Sequence, residues 1–165
     1  MRKTILLVLL IIFFIPLQTY SENFAPVGTS VAQFLEIGVG AGATGMGEAY
    51  TVMANDASSA FWNPAGIADV GRNSLYTTYT QWPANISIGA LSYARTLGNF
   101  GTVAVSSIYL STSDMEITTI DNPEGTGEYF GISNYSLGLS YSRYLTDKVS
   151  VGITTKFIHE GYYDY

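Results

Sequence analysis

There is no cysteine in the chain, which excludes a disulfide framework, a thiolate metal site and a lipoprotein anchor. Charge is scarce as well. Only 12% of the 165 residues are charged, against about 25% in soluble domains, so the chain is poorly equipped to coat itself for water. Basic residues are the scarcer sign. The net charge is −6, and removing Arg2 and Lys3 with the leader described below takes it to −8. Nucleic acid is therefore not an expected partner. The single histidine, His159, falls at a strand end on an outward-leaning face, where an interfacial role suits it better than catalysis. Ser107 or Ser111 could be paired with it on paper, but nothing local marks either serine as a nucleophile. No metal-ligand spacing, phosphate-cradling loop or carboxylate pair stands out, so neither an enzyme nor a cofactor is expected.

A long apolar run is also missing. The longest, Ile5 to Leu17, spans 13 residues, short of the ~20 that a spanning helix needs. With Arg2-Lys3 before it and Thr19-Tyr20-Ser21 after it, residues 1–21 read as a cleaved signal peptide. The mature chain is expected to be exported and to have no spanning helix.

Present instead are 13 tyrosines, 17 glycines and 47% hydrophobic residues, in two different arrangements. Residues 22–73 have little periodicity. Their centre, GMGEAYTVMANDASSAFWNPAGIA from Gly45 to Ala68, combines glycines with two polar reversals. Asp56 opens the first, and Asn63-Pro64-Ala65-Gly66 makes the second, with Pro64 pulling Asn63 out of the α region. A flexible linker seldom carries Met46, Tyr50, Val52, Met53, Phe61 and Trp62, so this segment must pack inside something.

Residues 74–165 alternate with period two. In NYSLGLSYSRY (134–144), Tyr135, Leu137, Leu139 and Tyr141 point one way and Ser136, Gly138, Ser140 and Ser142 the other. Val149 to His159 repeats the pattern, and Thr146-Asp147-Lys148 joins the two as a hairpin. Ser74–Trp82, Asn85–Thr96 and Phe100–Ser111 complete five predicted strands. In the second of these the apolar set moves from Ile86 and Ile88 to Leu91 and Tyr93, which predicts a bulge near Gly89-Ala90.

A soluble β-sandwich with this alternation would carry lysine and glutamate on its polar faces, and these strands carry Ser, Gly and Thr. In a membrane barrel the apolar face meets lipid and the inner face can be small and neutral. Strand length agrees: twelve residues at ~3.3 Å, tilted by ~40°, reach about 30 Å and cover the ~25 Å apolar band. Tyr76, Trp82, Phe100, Tyr109, Tyr135, Tyr141, Tyr144 and Phe157 near strand ends suit interfacial girdles. Short turns at 97–99 and 146–148 are then periplasmic and the 112–133 excursion extracellular. That excursion carries Asp114, Glu116, Asp121, Glu124 and Glu128 without lysine or arginine. It reads as a solvated acidic loop, with calcium bridging or partner docking as the sharper alternatives. A soluble binding domain is the weakest reading of the whole.

The ordered set GMG, NDAS and WNPAGIA resembles the N-terminal hatch of the FadL-like outer-membrane proteins, and most closely their PorV/PorQ branch. SDMEITTIDNPEGTGEYF and LGLSYSRYLTDKVSVGITTKFI are similar to the same branch, so the resemblance runs from about Val27 to Glu160. The chain departs from it at Gly42-Ala43, where the branch usually has arginine and alanine, and at Glu48, where it usually has glycine. The resemblance implies an all-β fold, namely the N-terminal part of a 14-stranded antiparallel transmembrane barrel with about five strands present here. It also implies a hatch built on Gly45, Met46, Gly47, Asp56, Asn63, Pro64 and Ala65, with Asp121, Glu124 and Glu128 in the extracellular loop. The implied function is docking or structural support in type IX protein secretion, with translocon components and outer-membrane lipid as partners. The alternative is a FadL-like channel for long-chain fatty acids or other hydrophobic small molecules.

Overall fold

The structure is a computed structural model that describes residues 31–161; the proposed signal peptide lies outside them. Its main element is one antiparallel meander of five long strands. These are β1 (Asn73–Trp82), β2 (Ile86–Thr96), β3 (Thr102–Ser111), β6 (Ser133–Thr146) and β7 (Val149–Gly161). They lie side by side in the order β1-β2-β3-β6-β7, so every neighbour in the sheet is also the next long strand in the chain. Two-residue strands β4 (Met115–Glu116) and β5 (Tyr129–Phe130) pair separately within the excursion between β3 and β6. All five expected strands are present, within two residues of their expected ends. Among the described residues the sheet does not close, and β1 and β7 are its edges.

Period-two patterning gives the wall two unlike faces. One face presents Leu137 (54% exposed), Leu139 (61%), Val151 (46%), Ile153 (63%) and Phe157 (60%) to the outside, and no described element covers them. The other face is small and buried: Ser92, Ala94, Thr102, Ala104, Ser136, Ser140 and Ser142. A soluble sandwich would bury the first set and expose the second. This wall does the opposite, because the small face is covered by residues 32–72 and the large one by no described residue.

Those residues form an irregular inner segment with a few short helices. Helix α1 spans Ala41–Gly45 and α2 Ser59–Trp62; 3-10 turns occupy Gln33–Glu36 and Pro64–Asp69. Two apolar clusters join segment to wall. Phe34 and Val39 pack with Ile88, Ala90 and Ile108 toward the excursion end of the strands. Ala57, Ala60, Ile67 and Val70 pack with Ala94 and Ala104 toward the short-turn end. Tyr76 touches both clusters.

Two expectations are corrected here. Register is continuous from Trp82↔Ile86 to Asn73↔Arg95 and through the β2–β3 pairing, so there is no bulge at Gly89-Ala90. Ile88 points inward because an apolar cluster awaits it there, and the shift from Ile88 to Leu91 marks a change in which face is apolar. The register shift that does occur lies between Tyr144 and Thr146. Gly89 has a different use: a Cβ there would collide with the ring of Tyr109 on the neighbouring strand. The girdle assignment fails for three aromatics. Tyr76 packs half-buried against the inner clusters, Trp82 lines a groove with Val39 and Ile88, and Tyr144 bonds to Asp69. Their strand parity turns them inward. Phe100, Tyr109, Tyr135 and Phe157 remain exposed or half-exposed on the outer side.

Candidate functional site

An irregular segment leaves backbone donors and acceptors without ladder partners, and once buried these must be satisfied by side chains or water. The inner face of the wall supplies side chains suited to this. Ser74 accepts from the Ala57 N–H at 3.0 Å, and Thr96 donates to the Val70 carbonyl at 2.7 Å. The Ser142 hydroxyl lies 3.0 Å from the Ala65 carbonyl and 2.9 Å from the Val151 carbonyl, so its one proton is shared between segment and strand. Tyr144 donates to the Asp69 carboxylate, and Glu160 near the top of β7 accepts from the Ala32 N–H at 3.1 Å. The serines and threonines of the inner face are thus receptors for the segment's backbone. Among the described residues two hydroxyls, Ser59 and Ser92, are buried without a partner.

The Asn63-Pro64-Ala65 reversal is the best seated part. Asn63 is extended (φ −153°, ψ 98°), as the following proline requires. Its side-chain oxygen accepts from the Ala65 N–H at 3.2 Å, capping the 3-10 turn that Pro64 opens, and its amide donates to the Thr51 carbonyl at 3.3 Å. The reversal rests on Gly152 of β7. A Cβ at Gly152 would overlap the backbone of Pro64 and Ala65, so only glycine admits this approach. Gly66 is constrained from the other side, where a Cβ would stand 2.6 Å from the Ala54 carbonyl.

Asp56 also shapes the segment, accepting from the Ser58 N–H at 2.8 Å and from the Ser58 hydroxyl. Gly45, Met46 and Gly47 behave differently. Gly45 closes α1, Gly47 adopts φ +59°, and Met46 is exposed among the described residues. The sequence motif therefore divides into a half bonded to the wall (56–66) and a half lying away from it (45–47). Glu48 adopts φ +68°, a left-handed conformation that favours glycine, and its carboxylate accepts from the Gly38 N–H at 3.1 Å. Trp62 donates to the Val39 carbonyl at 3.2 Å and meets Tyr50 edge-on.

The acidic excursion is more ordered than a loop. Its base is closed by Thr112 N–H to the Ile132 carbonyl (3.1 Å), and its middle by Ile117 N–H to Glu128 (2.8 Å) and Thr126 N–H to Ile117 (2.8 Å). Asp121, Glu124 and Glu128 are exposed on this hairpin, and among the described residues no group of three ligating side chains is placed to hold a metal ion. His159 stacks on Tyr135 with ring centroids 4.9 Å apart. Strand β6 separates it from Ser107 and Ser111 on β3.

Sequence reasoning missed Ser142, Gly152, Thr96 and Glu160, the wall side of the site. Small residues on the polar faces of β2, β6 and β7 were the available signal. Only the fold shows which of them receive the segment.

An antiparallel wall whose apolar outer face no described residue covers, with a glycine-rich segment bonded to its inner face, defines the class: an all-β protein that packs its own irregular segment against one open sheet. The match to known families agrees. The family described as type IX secretion system protein PorV matches residues 20–162, and the chain belongs to that family. No curated protein and no solved structure matches the chain. Family membership assigns it to type IX secretion and to the outer membrane.

Proposed function

We propose that this protein is a non-enzymatic docking and structural component of type IX secretion, held in the outer membrane with residues 32–72 as a fixed hatch. The observation that carries this reading is the seating of Pro64 and Ala65 on Gly152 and Ser142. A segment joined to the wall through its own backbone, from Ala57 to Val70, is built to stay in place. The ordered acidic hairpin offers secretion components a shaped surface on the exposed side. Leu137 and Leu139 meet hydrocarbon.

The second reading is transport of hydrophobic compounds. A groove of about 310 Å³ between the segment and β1, lined by Ile37, Val39, Trp82 and Ile88, favours it. The experiment compares a deletion strain with one carrying the full-length protein, following both export of type IX cargo and uptake of labelled oleate. Docking predicts blocked export with normal uptake in the deletion strain. Lost uptake with normal export overturns docking in favour of transport.

A further inference from the structure

Arg95 and Arg143 lie on the outer face of the wall, both exposed, at the end that bears the short turns. Their inward neighbours Ala94 and Ser142 are buried against the hatch, so parity turns both guanidinium groups outward. Neither is in an ion pair among the described residues. Register places Arg95, Val103 and Tyr141 in one row across β2, β3 and β6, and Arg143 two residues nearer the turn. Strand spacing and rise then put the two arginine Cα atoms about 12 Å apart, close enough for two extended arms to meet on one phosphate. Between them stands an aromatic pair, Phe100 and Tyr141, with ring centroids 5.6 Å apart and the Tyr141 hydroxyl donating to the Phe100 carbonyl at 2.6 Å.

We infer that this patch binds the phosphate of glycerophospholipid headgroups in the leaflet at the short-turn end. The inference rests on the membrane reading above. On that reading two successive exposed rows, Leu91 with Leu137 and Val105 with Leu139, lie in hydrocarbon. Arg95 and Arg143 come just after them, at the depth where a lipid phosphate sits. Aromatic rings mark an interface and long cationic side chains reach out along it. Charge complementarity selects the end. Arg72 and Lys148 stand at the same rim, with Asp147 in the turn and Asp69 bonded by Tyr144 on the inner side. The opposite end carries five carboxylates between residues 112 and 132 and no cation. Phosphate is favoured at the first end and repelled at the second.

The test uses the full-length protein in detergent micelles, with retained lipid read by native mass spectrometry. The probes are dioleoylphosphatidylglycerol and dioleoylglycerol, which lacks the phosphate. The wild type is expected to retain the phospholipid and not the diacylglycerol. Arg95→Gln with Arg143→Gln should lower retention at least fivefold. The Arg95→Lys, Arg143→Lys pair should restore at least half of it, and inward-facing Lys156→Gln should leave it unchanged. Equal retention of both lipids by the wild type, or undiminished retention by the glutamine pair, overturns the inference. Carbonate washing of membranes separates the two failures. A wild-type chain that stays with the membrane but shows no arginine dependence refutes only the headgroup contact, whereas a chain that washes off refutes the membrane reading with it.

Discussion

Gly152 on β7 lies directly against the backbone of Pro64, with no room for even a methyl group between strand and hatch. The contact joins residues 88 positions apart, and neither is intelligible without the other. Gly152→Ala forces the reversal off its seat, and overpacking of this kind costs about 1–3 kcal/mol. The expected outcome is faster protease cleavage within 45–70 of the membrane-embedded protein, with the wall still folded by heat-dependent gel mobility. Unchanged cleavage would show that the hatch does not rest on β7.

Ser142→Ala removes the hydroxyl shared by the Ala65 and Val151 carbonyls. A hydrogen bond of this kind is worth about 1 kcal/mol net, and the abandoned Ala65 carbonyl adds to the loss if water cannot reach it. Hydrogen exchange should rise across residues 63–70. An increase confined to β7 would mean that the hydroxyl serves the strand alone.

Asn63→Ala deletes the cap on the Ala65 N–H and the link to Thr51, at a cost of about 1 kcal/mol. Pro64→Ala leaves the cap but frees the backbone, which costs about 0.4–1 kcal/mol through the unfolded chain. Both should loosen the hatch in the same protease assay, and the double variant should be worse than either.

Glu48 separates two opposing terms. Glu48→Ala keeps the left-handed backbone and loses the bond to Gly38, so it should destabilise the hatch by about 1 kcal/mol. Glu48→Gly loses the same bond but relieves about 1 kcal/mol of backbone strain, and should be close to neutral. Denaturant midpoints of the two variants in the same detergent check the order.

Leu139→Arg puts a charge on the bare outer face and should cost about 2–4 kcal/mol if that face is at the bilayer midplane. Lys156→Glu alters charge on the inner face and should be tolerated. The yield of folded protein in washed membranes distinguishes them. Equal yields would remove the reason for placing lipid against Leu139.

Period-two alternation was enough to find five strands, their hairpin order and the face that no described residue covers, because each of these depends only on neighbours in the chain. The turn chemistry of Asn63-Pro64-Ala65 was equally local, and so was the need for the hatch to pack inside something. Tertiary structure decided what receives it. Ser142, Thr96 and Gly152 are unremarkable small residues on a polar face until the fold lays the hatch over them. Tyr76, Trp82 and Tyr144 look like girdle aromatics until strand parity is fixed at every position. Ile88 imitates a bulge because apolarity reports burial by any neighbour, lipid or protein, and a one-dimensional pattern cannot tell the two apart.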